Sequence, residues 1–169
     1  MRLIDQELFE ICRDTQWSKD LTANYEGYSQ YREYGLGVCI LTGGEVVAGI
    51  SSYSGYSRRS DENLGCHGGI EIEVVTREDY RRKGLAYIGA ARLLLECDKR
   101  GLYPNWDAAN KMSVGLAEKL GYHFSHEYVV YKVKKVSCGE PGSMIEYEML
   151  KRKCCIIVIF VIKKQRKYL

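Results

Sequence analysis

In the first part of the chain, apolar and polar residues alternate with the period of an α-helix. Residues 5–17 carry apolar side chains at helical spacing, from Leu8 to Trp17, which predicts an amphipathic helix. Residues 24–34 are polar and rich in tyrosine, and they predict a second helix with one weak point at Gly27. We therefore expect the chain to begin with two helices.

The next two segments have the composition of β-strands. Leu36–Leu41 and Val46–Tyr53 are rich in β-branched and apolar residues, and the Gly43-Gly44 pair between them is typical of a hairpin turn. Residues 54–68 are rich in Ser, Gly and Arg and predict a loop. A two-stranded hairpin followed by a loop is the expected structure here.

A third strand is predicted at Ile70–Val75, where the side chains alternate between two faces. The alternation places Glu71, Glu73 and Val75 on one face and leaves the other face apolar. Two carboxylates two positions apart on one face of a strand are candidates for chemistry.

Helices and strands alternate in the second half of the chain. Gly84–Arg100 is apolar almost all round, which predicts a deeply packed helix. A short strand at Tyr103–Trp106, a helix at Lys111–Leu120 capped by Asp107 or Asn110, and a strand at Tyr122–Val133 follow. Because strands alternate with helices only in this half, the sequence predicts an α/β (α+β) fold with a mixed sheet covered by helices.

Length and composition indicate one folded domain. The 169 residues are 46% hydrophobic and 28% charged, values that are ordinary for a globular protein. Only two prolines occur and no linker or repeat divides the chain, so we predict a domain at 1–135 and a tail of unknown role at 136–169. The nine apolar residues of Cys154–Ile162 are too few to cross a bilayer as a helix. An extra edge strand, a membrane-surface contact and an end produced by a shifted reading frame stay open for this tail.

Charge and cysteine usage exclude several classes of protein. The formal net charge of +3 is too small to indicate nucleic-acid binding, and we expect no nucleic-acid partner. Seven scattered cysteines without a C-x-x-C pair do not match zinc-ribbon spacing, so no metal is expected. They fit reduced, mostly buried thiols of a cytoplasmic protein. The N-terminal stretch has charges inside its apolar part and does not resemble a signal peptide.

The segment from Val74 to Ala86 has the composition of an anion site. A strand ends, a charged loop follows, and a helix begins at Gly84, so unpaired N–H groups face the loop. Arg81, Arg82 and Lys83 add positive charge at the same place, which suits a pyrophosphate. No P-loop run occurs, and the Gly35-Leu36-Gly37 start of a Rossmann pattern is not completed. The alternative is a basic helix start with no ligand.

Two motifs in this region resemble the GNAT (general control-related N-acetyltransferase) superfamily. Arg81-x-x-Gly84-x-Ala86 is similar to its R/Q-x-x-G-x-G/A motif. Trp106–Asn110 and Leu116–Tyr122 resemble its second conserved region, in which an Asn opens a helix that ends in K-L-G-[FY]. The resemblance extends over residues 1–131 to the branch called GNAT acetyltransferase. Members of that branch have a further N-terminal region, which we expect this chain to lack.

The resemblance implies a GNAT-like acyl-CoA transferase fold, in which a mixed sheet splays open between the strands at 70–75 and 103–106. Acetyl-CoA would lie in that cleft as cosubstrate, with its pantetheine arm along the strand and its pyrophosphate on the loop. Asn110 would hydrogen-bond the pantetheine or shape the cleft. The expected cofactor-binding residues are Val74, Val75, Thr76, Arg81, Arg82, Lys83, Gly84, Leu85, Ala86, Asn110 and Ser113.

Acetyl transfer to an amine requires a proton acceptor, because an ammonium group has no lone pair. Glu73 is the first candidate for this base and Glu71 the second, and the alternative is that both are exposed residues or bind a cationic substrate. The superfamily often has a Tyr seven residues after the Asn, whereas this chain has Ala117. Tyr122, Ser113 or Tyr80 would then replace it as the acid, or no acid is needed.

The predicted function is direct transfer of acetyl from acetyl-CoA to a primary amine of a small molecule or a protein. The alternative is a non-catalytic CoA-binding regulatory domain. We expect a monomer or a homodimer, and the acceptor cannot be read from the sequence.

Overall fold

The computed structural model describes residues 1–55 and 69–130, together with three strands at 133–136, 146–149 and 155–161. Most of the predicted loop at 54–68 and residues 131–132 of the predicted strand at Tyr122–Val133 therefore lie outside the described residues. Residues 54 and 55 belong to a strand rather than to the loop.

The first part of the chain forms two helices joined by a 3-10 turn, as predicted, but both helices are shorter than expected. Asp5 caps the first helix by accepting a hydrogen bond of 3.0 Å from the backbone N–H of Leu8. The elements are α1 (Gln6–Asp14), the 3-10 turn Lys19–Leu21 and α2 (Tyr28–Tyr34). A short strand that the pattern did not predict, β1 (Arg2–Leu3), precedes them.

Seven strands form the main sheet in the order β1-β2-β3-β4-β5-β9-β6. Only the β4–β5 pair is parallel, so the predicted mixed sheet is confirmed. The strands are β2 (Gly37–Thr42), β3 (Glu45–Gly55), β4 (Gly69–Thr76), β5 (Tyr103–Ala108), β6 (His123–Val130) and β9 (Cys155–Val161). A separate two-stranded sheet pairs β7 (Val133–Val136) with β8 (Glu146–Met149).

The apolar run near the C-terminus lies inside the main sheet. β9 pairs antiparallel with β5 on one side and with β6 on the other. The expectation of an edge strand is therefore right about the strand and wrong about its position. Seven residues of the segment predicted as a tail complete the sheet next to β5.

The two larger of three hydrophobic clusters in the described residues cover opposite faces of this sheet. One contains residues of β2–β5 together with the helices α3 (Leu85–Arg100) and α4 (Lys111–Lys119). The other contains α1, α2 and the side chains of the sheet that face them. A mixed sheet with helices on both faces is the predicted architecture.

The long helix α3 is less buried than its composition suggested. Only one side packs on the sheet, with Ala90 and Leu93 fully buried. Ile88 is 47% exposed and Leu95 is 60% exposed on the opposite side, so the prediction of a deeply packed helix is wrong. The polar Glu96 is buried and bonded to Arg92 and Lys99 instead, at 2.9 and 3.1 Å.

The cysteines Cys12, Cys39 and Cys97 are buried in the described part of the chain, as predicted. None of the helices within the described residues has the length and apolar character that a membrane span requires.

Candidate active site

The main sheet opens next to the loop that the sequence singled out. β4 pairs with β5 from Gly69 to Glu71, opposite Tyr103 to Asn105. From Trp106 onward β5 pairs with β9 instead, while β4 continues to Thr76. In the described part of the chain, the β5 side of Ile72–Thr76 therefore has no partner strand. Such an edge can pair with an extended ligand through its backbone groups.

The loop after β4 has the backbone geometry of an anion site. Arg82 has a φ of 61° and Gly84 a φ of 76°, both in the left-handed region. The helix α3 begins at the next residue, Leu85. Alternation of left-handed and ordinary residues turns successive N–H groups toward one concavity, which favours an anion. A left-handed conformation is costly for a side chain such as that of Arg82 and is typical of functional loops.

A network of side chains holds this loop in place. The Arg77 guanidinium donates to both carboxylate oxygens of Asp79, at 2.8 and 3.0 Å, and to Glu45 at 2.9 Å. The Tyr80 ring packs on the sheet and lies beneath two cations, Arg77 at 4.6 Å and Lys83 at 4.4 Å from its centroid. The Tyr80 ring thus supports the loop. Arg77 and Glu45 were not predicted, because residues 32 positions apart meet only in the folded sheet.

Asn110 and Ser113 form the opposite side of the opening, at the start of α4. Asn110 caps this helix by accepting a hydrogen bond of 3.0 Å from the Ser113 N–H, which decides between the two predicted caps. The indole N–H of Trp106 donates to the Ser113 hydroxyl at 3.0 Å. The cap and the β5 strand are therefore connected, and the two predicted residues lie together.

Glu73 is a half-buried carboxylate on the stretch of β4 that, among the described residues, has no partner strand on its β5 side. Burial, followed by the charges of Asp20 and Glu71, raises the pKa of Glu73 to about 7. At neutral pH such a group is divided between the acid and the base, which suits proton transfer. Asp20 lies on the 3-10 turn beside α1 and was not predicted, because no local pattern marks a residue that approaches β4 only in the fold.

Tyr122 lies in the core. Its hydroxyl donates to the backbone carbonyl of Pro104 at 3.1 Å, and its ring packs 5.5 Å from that of Trp106. The side chain is 2% exposed, and burial raises the pKa of Tyr122 well above its usual value. A buried hydroxyl that already donates is a poor proton source for a cofactor, so the structure favours a packing role over the predicted role as acid.

Ala117 is also part of that core, with no exposed surface. The absence of the usual Tyr at this position is therefore not an open gap beside the cofactor. Within the described residues, no group of three or more His, Cys, Asp or Glu side chains is arranged to hold a metal ion.

We expect Ala117→Tyr to destabilise the fold by about 1–3 kcal/mol or more, since a filled core has no room for the added ring. The free energy of unfolding in urea measures this effect. Glu118→Tyr, at the next and exposed position of α4, is the control and should change stability by no more than about 0.5 kcal/mol. Full stability with faster acetyl transfer in Ala117→Tyr would show instead that position 117 opens toward the cofactor.

Comparison with known proteins identifies relatives of this chain. The family model described as GNAT acetyltransferase matches residues 1–131. The Bacillus subtilis protein named uncharacterized N-acetyltransferase YdfB is 35% identical over 138 residues, which are 78% of this chain and 47% of that protein.

Solved structures of acetyltransferases are also similar to this chain. A GCN5-related N-acetyltransferase-like protein from Streptococcus suis is 51% identical with a TM-score of 0.64, covering 70% of this chain and 44% of that one. A Bacillus subtilis acetyltransferase in complex with CoA is 14% identical with a TM-score of 0.57, covering 95% and 97%, and shares the fold. The chain thus spans less than half the length of the first two relatives.

Proposed function

The chain belongs to the GNAT acetyltransferase family, and from this premise we propose that it transfers the acetyl group of acetyl-CoA directly to a primary amine of a small molecule or a protein. The observation that supports this most is the parting of β4 from β5 beside the left-handed loop at Arg82 and Gly84. The proposal includes a cytoplasmic location and a monomer or homodimer without a nucleic-acid partner.

The opening and the loop suit the two parts of the cofactor. In this proposal the pantetheine arm pairs with the backbone of Val74–Thr76, on the side of β4 that faces the opening. The pyrophosphate binds the N–H groups of Arg82–Ala86, where the start of α3 adds a partial positive charge. Arg81 is 64% exposed, and its 3.8 Å contact with Glu78 is loose enough to be exchanged for a phosphate.

Glu73 acts as the base in this proposal. The acceptor arrives as an ammonium ion, to which the negative charges of Asp20 and Glu71 are attractive, and Glu73 or a water that it holds takes the proton. The neutral nitrogen then attacks the thioester carbonyl, and the C–S bond breaks to release CoA as a thiolate. The new amide nitrogen gives its extra proton to that thiolate or to solvent, so that the products are the neutral amide and CoA. A thiol pKa of about 8.5 makes the thiolate a tolerable leaving group without a dedicated acid.

The competing proposal is a CoA-binding regulatory domain without catalysis. It needs the loop and the opening but not a carboxylate that titrates near neutral pH. The position of Glu73 beside the opening favours the enzyme, and turnover separates the two proposals.

Acetyl-CoA should stabilise the protein by mass action, since only the folded state has the opening between β4 and β5. At about 100 times its dissociation constant it should add about 2.7 kcal/mol to the free energy of unfolding. Thermal unfolding measures this, and a thioester without the nucleotide, such as acetylated pantetheine, is the control that should stabilise less.

Turnover with a panel of diamines, amino acids and lysine peptides is the companion measurement. No thermal shift at millimolar acetyl-CoA would contradict cofactor binding itself. A full shift with no acetylated product from any amine would support the regulatory domain.

A further inference from the structure

Two cysteines from distant parts of the chain place their sulfur atoms side by side in the core. The Sγ atoms of Cys12 on α1 and Cys39 on β2 are 3.6 Å apart and share a hydrogen bond. Neither residue has exposed surface, and both belong to the hydrophobic cluster between the helices α1 and α2 and the sheet. The mechanism proposed above uses neither thiol, so the pair is a reactive feature outside the candidate active site.

The two sulfur atoms are within reach of a covalent bond. A disulfide has an S–S distance of about 2.05 Å, so the sulfurs need to approach each other by about 1.5 Å in total. Rotation of the two short side chains, together with a small shift of α1 on the sheet, covers that distance. Cys97 is buried in the other large cluster and is bonded to no second thiol within the described residues, so it is the internal comparison.

The shared hydrogen bond makes the two thiols unequal. The bond from Cys39 lowers the pKa of Cys12 against the opposing effect of burial, and Ser18 adds to the lowering. The same contact, together with burial, raises the pKa of Cys39. Cys12 is therefore the thiol that ionises first and attacks an oxidant, and Cys39 is the thiol that completes the bond.

We propose that Cys12 and Cys39 form a modification site, at which hydrogen peroxide converts the two thiols into a disulfide that fastens α1 to β2. The Cys12 thiolate attacks one peroxide oxygen, the O–O bond breaks, and a sulfenic acid forms while the departing hydroxide takes up the Cys12 proton. The Cys39 sulfur then attacks the Cys12 sulfur, the S–O bond breaks, and the second hydroxide leaves with the Cys39 proton as water. The two thiols lose two electrons and two protons in total, and one peroxide becomes two waters.

The contact between the sulfurs decides the product of oxidation. A sulfenic acid with a thiol beside it condenses to a disulfide, whereas an isolated one can proceed to the irreversible sulfinic acid. Burial slows the arrival of the oxidant, so the reaction depends on local opening of α1, which costs less than unfolding of the whole domain. In a reducing compartment such a disulfide is transient, because small thiols reverse it by exchange.

The disulfide would close a ring over residues 12–39, which contains the 3-10 turn and α2. Such a cross-link restricts the unfolded chain and should raise the melting temperature by roughly 5–15 °C. The ring also contains Asp20, whose charge acts on Glu73. Oxidation would therefore hold the layer that carries this charge on the sheet.

Peptide mapping tests for this bond in the full chain, because trypsin separates the two cysteines from the other five of the seven. Cleavage after Arg and Lys gives peptide 3–13, with Cys12 alone, and peptide 33–58, with Cys39 alone. The folded protein is treated with hydrogen peroxide, and its remaining thiols are blocked before digestion. Mass spectrometry should then find the two peptides joined with the loss of two hydrogens, and dithiothreitol should separate them.

Thermal unfolding of alanine variants tests whether this pair is responsible for the added stability. The melting temperature of the unsubstituted protein should rise on oxidation and return on reduction. Cys12→Ala and Cys39→Ala should each lack the rise, because each removes one of the two sulfurs. Cys97→Ala, which removes another buried thiol, should keep both the joined peptides and the rise.

Absence of the joined peptides from the oxidised, folded protein would overturn the inference, as would their formation only after unfolding in urea. A melting temperature that falls on oxidation would show that the native geometry does not accommodate the bond, with the same consequence. Should an alanine variant not fold, the peptide map of the unsubstituted protein decides by itself. None of these measurements involves acetyl-CoA, so their outcome is independent of the proposed function.

Discussion

Glu73→Gln should lower kcat/KM for acetyl transfer by about 10²–10⁴-fold, the usual cost of losing a general base. Glutamine keeps the shape of the side chain but cannot accept the proton of the ammonium ion. The dissociation constant for acetyl-CoA should not change, because Glu73 lies within β4 and outside the loop proposed to bind the pyrophosphate. Steady-state kinetics and calorimetric titration measure the two quantities.

The pH dependence of the unsubstituted protein follows from the same group. The pKa of Glu73 is raised to about 7, so the base is ionised above that pH and protonated below it. The rate should rise through pH 7 and then level off, without the fall that an essential acid would cause. This rising limb should be absent from the residual activity of Glu73→Gln.

Stability should respond in the opposite sense. A carboxyl whose pKa is raised by folding from 4.5 to about 7 binds its proton more tightly in the folded state. The stabilisation that the folded state gains from this tighter proton binding is complete below pH 4.5 and is lost as the pH rises through 7. Glu73→Gln should therefore melt at a higher temperature than the unsubstituted protein above pH 7, and the difference should shrink in acid.

Glu71→Gln is the matched control, two positions away on the same strand. It should cost less than Glu73→Gln in kcat/KM, with an effect mainly on KM for cationic amines. Full activity in Glu73→Gln at neutral pH, with loss in Glu71→Gln, would show that the other carboxylate is the base.

Gly84→Val should weaken acetyl-CoA binding by about 100-fold, or about 2.7 kcal/mol, which corresponds to one lost hydrogen bond from a backbone N–H to a charged phosphate. A Cβ at this position would meet no protein atom within 4 Å, so the space in front of Gly84 is open to a ligand. A valine fills that space, and its β-branched side chain resists the φ of 76° that turns the N–H groups inward. Calorimetric titration with acetyl-CoA measures the change.

Gly101→Val separates the two effects of that substitution. Gly101 ends the same helix with a φ of 65°, and a Cβ there also meets nothing within 4 Å. Both variants should lose similar stability, about 1–3 kcal/mol, from the strained backbone. Only Gly84→Val should lose affinity, and an unchanged dissociation constant in that variant would place the phosphate site elsewhere.

Local patterns in the sequence predicted the elements that form the opening. The Gly43-Gly44 hairpin, the strand at Ile70–Val75 and the long helix are present close to their predicted bounds. The helix ends are also as predicted, because Gly84 and Gly101 both adopt positive φ at the two ends of α3. Such features depend on residues within one turn or one strand, so the sequence alone determines them.

Predictions that depended on which distant segments pack against a residue were less accurate. Tyr122 was named as a candidate acid because Ala117 stands where the superfamily often has Tyr, and both residues lie in the core with Trp106. The exposed side of α3 was also missed, because a helix with few polar residues does not reveal which of its faces meets the sheet. These errors concern packing partners that are distant in sequence.

The sequence by itself determined the family motifs, the basic glycine-containing loop and the alternation that puts Glu71 and Glu73 on one face. The tertiary structure decided how far β4 and β5 stay paired, that β9 enters the sheet beside β5, and that the charge of Asp20 acts on Glu73. The physical reason for this division is the distance along the chain between the residues that interact. Backbone conformation and strand alternation are set by neighbouring residues, whereas the pKa of a carboxylate and the opening of a sheet depend on what distant segments place beside them.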